Sequence, residues 1–477
     1  MLAQAHYTKN KRAHFKEGSK MISLFTPELA NIVHLRYKDI VKGEGISRAA
    51  FCAYISMPIF NIFAFSHLSE QASWIPSPST LSRNVRRFNL SILEKMFSRS
   101  KNAFENQIKK SPDDWIFIID NTDNPNRTDN LIDGGKWATS NKQIYEGRNY
   151  VFLIAFNKKS KESCIIDFEC CKKINPEYKN DEDKAWGIAL TLLEKIKSKL
   201  HLNTLTVVMD SWFDISKFHE LLEKKGIKYV IDTKKSRNVF IEKDNGEIEK
   251  RKITDPIDRK KNGVKSGKYG VVSEDRSLKG MKFCVMEKNI LIKRDVKLMK
   301  KEISMSQNSL IENINVNLKK YIKLNIVQVY NHSNENSPFA IYITNINDPI
   351  DIEIFCISRM RWNIEVIFKN LKQNFMFNKS QLKSNEGADF KVYFSAILYN
   401  TFLDIKIKQY DEYNLNIHEF LELERRKENE RVFKELINTK YTRQIMVIAN
   451  KNSLSMQRKK LKVISSKKGA REGQNVA

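Results

Sequence analysis

Three carboxylates in this chain stand where their neighbours would let them hold a hard cation. Asp120 closes the apolar run Trp115-Ile116-Phe117-Ile118-Ile119, and Asp210 closes Leu205-Thr206-Val207-Val208-Met209. The third, Glu365, lies in Arg361-Trp362-Asn363-Ile364-Glu365-Val366-Ile367-Phe368-Lys369-Asn370-Leu371-Lys372. Read as a helix, that segment aligns Arg361, Glu365, Phe368 and Lys372 along one stripe. Ile364, Ile367 and Leu371 form the neighbouring apolar stripe, which would seat the helix in a core. Alone, each feature has an ordinary reading: a turn residue after a strand, or a helix with an i,i+4 ion pair. Together they supply three oxygen ligands, a set that suits Mg²⁺, or Mn²⁺ in its place. Two such ions roughly 3.5–4 Å apart can activate an attacking water and stabilise the leaving oxygen of a phosphodiester. Lys372 lies too far along the helix, about two turns from Glu365, to pair with it, so DNA is its expected partner, and Arg361 and Lys372 together would suit a clamp on the phosphates of the scissile strand.

Strands must bring the two aspartates together. After Pro112 the hydrophobic period changes from helical to extended, with strands expected at 115–119, 150–156, 164–168, 205–209 and 228–231. Helices are expected from Asp183 to Lys199 and through Phe218, Leu221 and Leu222. Three strands, then helix, strand, helix and strand, describe an antiparallel meander feeding βαβ units, hence a mixed sheet with helices on its faces. If the strands that end in Asp120 and Asp210 are neighbours, their carboxyl ends share the edge where open α/β sheets bind ligands.

The flanking regions read as helical and basic. Residues 21–110 carry helical patterns at Pro27–Val41 and Ser47–Ile55, then a turn signal, Trp74 to Thr80, and a helix from Leu81 to Leu90. Arg83, Arg86 and Arg87 would lie on one side of that helix and Leu81, Val85 and Phe88 on the other. A short helix, a turn and an arginine-bearing helix outline a helix-turn-helix DNA reader, set against the plainer alternative of a helical subdomain with a solvated basic face. A core helix is expected from Phe390 to Ile407 and charged helices from Asn414 to Glu435. The segment from Lys451 to Ala477 is a basic run with the single acid Glu472, and residues 1–20 read as a flexible basic arm, Met21 being an alternative start.

Lys and Arg number 83 against 56 Asp and Glu, a formal charge of +27, which favours polyanionic partners. At 477 residues with 41% hydrophobic content, several folded domains are expected rather than a disordered chain. The six cysteines form no CxxC pair and have no histidine at zinc-ligand spacing, so reduced, mostly buried thiols are expected. The early apolar run Phe51–Phe65, broken by Ser56, Pro58 and Asn61, is too short to span a bilayer, and no membrane association is expected.

Arg361, Glu365 and Lys372 match three letters of the Y-x2-R-x3-E-x6-K signature, and with Asp120 in Ile-Asp-Asn-Thr and Asp210 in Val-Met-Asp-Ser-Trp-Phe the chain resembles a DDE transposase of the insertion sequence four family. These are bacterial cut-and-paste enzymes. Ser358 stands at the tyrosine position of the signature, a departure. The likeness runs from about Trp115 to Phe375 and is specific in the three catalytic blocks.

The resemblance implies a ribonuclease-H-like catalytic core in two parts, 111–236 and 338–410, around a largely β insertion at 237–337. A helical DNA-binding region at 21–110 and a helical, basic region at 411–477 would flank that core. It implies that Asp120, Asp210 and Glu365 are catalytic and hold two Mg²⁺ ions, Asp120 bridging, and that Lys234, Lys235 and Arg237 join Arg361 and Lys372 in contacting DNA. Water activated by metal would cut at the element's inverted-repeat ends, and the freed 3′-hydroxyls would join target DNA. A homodimer assembled on paired ends, in the bacterial cytoplasm at the nucleoid, is the implied setting. In hairpin-forming relatives a tryptophan of the insertion stacks on a flipped base, and this insertion has no tryptophan. The competing readings are a repurposed DNA-binding protein that no longer cuts, and a nuclease of the same fold.

Overall fold

The computed structural model describes residues 27–71, 74–125, 135–138, 144–171, 184–243, 245–255, 281–294, 321–331, 337–347, 351–378, 382 and 384–438. The basic arm at 1–20, the Met21 start, the tail at 451–477 and the Gly270-Val271-Val272 strand lie outside the described residues. The helices are α1 (Glu28–Gly43), α2 (Arg48–Phe60), α3 (Phe65–Gln71), α4 (Pro78–Val85), α5 (Leu90–Lys110) and α6 (Ala185–Leu200). They continue as α7 (Ser216–Lys224), α8 (Asp351–Arg359), α9 (Trp362–Asn374), α10 (Asn385–Tyr410) and α11 (Ile417–Asn438). The first strands are β1 (Trp115–Pro125), β2 (Gly135–Ala138), β3 (Ile144–Asn157), β4 (Ser163–Cys171), β5 (Thr206–Met209) and β6 (Lys228–Asp232). The remainder are β7 (Asn238–Glu242), β8 (Ile248–Lys252), β9 (Met281–Lys293), β10 (Tyr321–Asn331) and β11 (Ala340–Thr344).

The described residues divide into two compact units, one made of those within 1–42, 46–80 and 418–477, the other of those within 43–45 and 81–417. In the first unit, Ser47 caps α2 by accepting the Ala50 N–H at 3.2 Å. The apolar run read as too short for a bilayer is the body of α2, buried on every side from Ala50 to Ile59. Pro58 interrupts the last turn, and Arg425 of α11 donates to the carbonyl of Ile59 at 2.6 Å, fastening that helix end. No described helix is long and apolar enough to cross a membrane.

The second unit is built on one mixed sheet of eleven strands, ordered β2-β3-β1-β5-β6-β11-β10-β9-β7-β8, with β4 pairing the other side of β3. β1 and β3 are antiparallel, as are β3 and β4, whereas β1, β5 and β6 run parallel. The meander and the βαβ units expected from the sequence are therefore present, α6 and α7 being the crossovers. The strands β7 to β10, which fall within 237–337, continue the same sheet through β11, which pairs antiparallel with β6.

The outer side of β4 is closed by a side chain. Asn400 of α10 accepts the Ile165 N–H at 2.9 Å and donates to the Ile165 carbonyl at 2.8 Å, replacing a missing strand partner in a buried setting. Phe88, between α4 and α5, packs on Phe390 and Phe394 of α10 with ring centroids 5.0 and 6.0 Å apart.

The arginine-bearing helix differs from its expected extent. It is α4, which starts at Pro78 and stops at Val85, so Arg86 and Arg87 lie in the turn that follows and only Arg83 is helical. Pro78 favours a helix start, and Asn89 restarts the chain by accepting the Ile92 N–H at 3.0 Å as the cap of α5. All three arginines are exposed, and Arg87 donates to the Gly45 carbonyl. The described cysteines are all free thiols.

Candidate active site

Strand register places the first two carboxylates. Parallel pairing of β1 and β5 ends at Ile119 opposite Met209, so Asp120 and Asp210 follow side by side where that pairing stops, at the carboxyl end of β5. β1 does not stop at Asp120, as its apolar run suggested, but continues to Pro125 because β3 still pairs with it. At Asp210 the chain leaves the sheet in a short 3₁₀ turn, and its Oδ1 accepts the Trp212 N–H at 3.0 Å.

The Glu365 helix is seated by an aromatic contact. Phe152 of β3 lies directly opposite Asp120, and opposed residues of an antiparallel pair share a face. Its ring meets Phe368 of α9 with centroids 5.4 Å apart. Ile364, Ile367 and Leu371 are buried, as their stripe requires. Phe368 is buried as well, so the stripe assigned to it with Arg361 and Glu365 lies at the border of the packed face.

Arg361 is the residue just before α9, and its guanidinium forks. Nη1 donates to Asp120 Oδ2 at 3.2 Å and Nη2 to Glu365 Oε1 at 3.1 Å. One side chain thus connects strand β1 to helix α9. Burial pushes the Asp120 carboxyl up to about 7, with Asp210 adding to the shift and Arg361 opposing it. Burial raises Asp210 too, against the pull of the Trp212 N–H, Arg361 and Lys234.

The cations expected at DNA separate into two groups. Lys234 and Lys235 are exposed, and the charge of Lys234 reaches Asp210. Lys372 is partly buried, which lowers its pKa, while Asp123 and Asp120 hold it up. Lys372 therefore has anionic neighbours within the protein, where the sequence pointed to DNA as the expected partner. Arg237 is engaged internally: Nη1 donates to Asp214, to its carboxylate and at 3.0 Å to its carbonyl, and Nη2 donates to Ser216 Oγ at 3.0 Å.

Asp214 is the centre of that second network. His219 of α7 lies 2.9 Å from its Oδ1, and Thr233, the residue after β6, donates to Oδ2. Burial works to raise Asp214, yet the hydrogen bond from His219, the charge of Arg237 and the Thr233 hydroxyl bring it down to about 2. His219 is wholly buried, and its Nδ1 has no partner among the described residues. Burial keeps His219 neutral, so the proton sits on Nε2, facing Asp214. The network ties the turn after Asp210 to the loop that carries Lys234 and Lys235.

Two carboxylates went unremarked in the sequence. Asp232 ends β6 in the row of Asp120 and Asp210, because Met209 pairs with Ile231, and the run Tyr229-Val230-Ile231 before it carries the same signal. Asp123 lies further along β1. Ser358 is buried, donates to the Phe355 carbonyl at 2.7 Å and lies within hydrogen-bond reach of Tyr342. Trp212 and Trp362, each beside a candidate site residue, are exposed.

The family model for the transposase DDE domain matches residues 111–401. This chain belongs to the DDE transposases. The match takes in Asp120, Asp210 and the whole of α9, and the function that follows is DNA transposition. Among solved structures, the cryo-electron-microscopy structure of the piggyBac transposase synaptic complex with hairpin DNA is similar at 9% identity and a TM-score of 0.43, over 88% of this chain and 81% of that one. No curated protein matches the chain.

Divalent metal ions are general to DDE transposases. The donor chemistry here fits them, since Asp120, Asp210 and Glu365 offer only hard oxygens and all three lie within the reach of the Arg361 charge. Among the described residues no three acidic, histidine or cysteine side chains are gathered closely enough to hold an ion as they stand. The fork of Arg361 lies between two of the candidate ligands.

Proposed function

We propose that this DDE transposase is a cut-and-paste enzyme of the insertion sequence four group, with Asp120, Asp210 and Glu365 as its catalytic carboxylates. The observation that carries this is the pairing of Ile119 with Met209, together with the Arg361 bridge from Asp120 to Glu365. In this reading residues 111–236 and 338–410 form a ribonuclease-H-like core, 237–337 are its β insertion, and 21–110 and 411–477 serve DNA. Two Mg²⁺ ions, or Mn²⁺ in their place, would be held by the three carboxylates and would supply Lewis acidity for hydrolysis and strand transfer at phosphodiesters.

The remaining roles belong to the protein's own cations. Lys234 beside Asp210 and Lys372 beside Asp120 put positive charge on both flanks of the carboxylates, where they would hold backbone phosphates around the scissile bond. Arg83, Arg86 and Arg87 would bind the element's end further out, and Lys235 the adjoining backbone. Arg237 would act indirectly, by holding the Lys234–Lys235 loop through Asp214. The 3′-hydroxyls freed at the inverted repeats would join target DNA within a homodimer on paired ends, in the bacterial cytoplasm at the nucleoid.

The test uses a duplex carrying the terminal repeat found beside the gene. Asp120→Asn, Asp210→Asn and Glu365→Gln should each abolish strand cleavage and leave duplex binding largely intact, and EDTA should stop the wild type. Cleavage retained by any one variant would remove that residue from the catalytic set.

A further inference from the structure

Arg361 is bonded to two of the three carboxylates that the metal reading requires, Asp120 and Glu365, and this has a consequence for how cations reach them. A guanidinium cannot shed its charge at any ordinary pH, so it competes with a second cation only by staying or leaving. Its two donors are divided between Asp120 on β1 and Glu365 on α9, spanning the gap between a strand and a helix. Asp120 is buried on a central strand and cannot follow it out, whereas Arg361 is only partly buried and stands at a helix start. The mobile partner of the pair is the cation.

We propose that Arg361 is the resident counter-cation of the carboxylate site, displaced when divalent metal enters and released in that step to hold a DNA phosphate. The inference rests on the metal-site reading above. Displacement exchanges one cation for another, so the carboxylates are never left facing each other unneutralised in the protein's interior. It also links two ligands. Metal frees the guanidinium for phosphate, and phosphate, by keeping the guanidinium away, favours metal by the same factor. An arginine that merely held Asp120 and Glu365 in place would do the reverse, because its loss would loosen the ligands and weaken metal binding. The two roles differ in sign.

The experiment titrates Mn²⁺ calorimetrically into the full-length protein without DNA, as wild type, Arg361→Gln, Arg361→Lys and Asp210→Asn, with thermal unfolding of each as a check on folding. The proposal expects Arg361→Gln to bind Mn²⁺ about tenfold more tightly than wild type, a change equal to roughly 1.4 kcal/mol. Arg361→Lys, which keeps a charge but not the fork, should fall between them, and it decides the matter if the Gln variant does not fold. Fluorescence anisotropy of a labelled duplex should show Mn²⁺ raising DNA affinity in the wild type and doing so less in Arg361→Gln. Equal or weaker Mn²⁺ binding by both Arg361 variants, with binding lost in Asp210→Asn, overturns the counter-cation role and leaves the carboxylate site standing. The same Mn²⁺ binding in all four proteins, Asp210→Asn included, overturns the metal-site reading and the inference with it.

Discussion

The ring of Phe152, directly across the sheet from Asp120, meets the ring of Phe368 edge-on at 5.4 Å, and through this contact α9 carries Glu365 to the sheet edge. Phe368→Ala should therefore act twice. Loss of a buried ring should cost about 3–5 kcal/mol in chemical denaturation. At a denaturant-free temperature where the variant is folded, cleavage should still be slower than wild type, because Glu365 is less well placed. Phe368→Leu, which refills most of the volume, should recover stability before it recovers rate. Equal rates in all three proteins would show that the contact supports the fold and not the site.

Asp120 makes the metal-free protein sensitive to pH. Its folded value, about 7, lies above that of an unfolded aspartate, so the folded state holds a proton that the unfolded state has already lost. The stabilisation is complete below the unfolded value near 3.9 and is lost as pH rises through about 7. Thermal unfolding of the metal-free protein should show this decline, and Asp120→Asn should flatten it. Mn²⁺ binding, which needs the carboxylate, should strengthen over the same interval.

The Asp214 network separates positioning from contact. Arg237→Ala leaves Asp214 buried beside a neutral histidine without its main cation, and should cost about 3 kcal/mol, read by denaturation. Asp214, depressed to about 2, adds stability above the unfolded value near 3.9 that is lost as pH falls toward about 2. Lys234→Ala and Lys235→Ala remove exposed charges and should leave stability near that of wild type. Both should instead reduce the salt dependence of DNA binding, each by a slope of about 1. A salt slope lowered by Arg237→Ala in a fully folded protein would return Arg237 to direct contact.

Arg83 and Arg87 should part company as well. Arg83, exposed on α4, should on conversion to Ala cost about 1–3 kcal/mol of affinity for the element's end and relax preference at a base pair if it reads the major groove. A uniform loss over unrelated sequences would make it a phosphate contact. Arg87 bonds to the Gly45 carbonyl, so Arg87→Ala should also lower the melting temperature.

Much of the fold was legible because its signals are local. Continuous apolar runs of strand length marked β1, β3, β4 and β5, and the stripe of Ile364, Ile367 and Leu371 marked the buried face of α9. Boundaries were less legible. The Asn89 cap that restarts a helix is a local signal, yet the helix expected from Leu81 to Leu90 ran through it. β1 outruns its apolar segment because β3 pairs with it, and pairing leaves no trace in the β1 residues themselves. The joining of β7 to β10 onto the main sheet through β11 has the same non-local cause.

The sequence by itself determined which chemistry is available: hard oxygen donors after two apolar strands, a carboxylate on an amphipathic helix, and a large cationic surplus. Those follow from residue type and from spacings of a turn or two. Only the tertiary structure decided what each cation faces. Asp123 and Asp120 lie beside Lys372, Asp214 takes Arg237 into the interior, and Arg361 divides its fork between Asp120 and Glu365. Electrostatic partners are chosen by distance through space, and residues hundreds of positions apart meet only when register and packing have closed the distance.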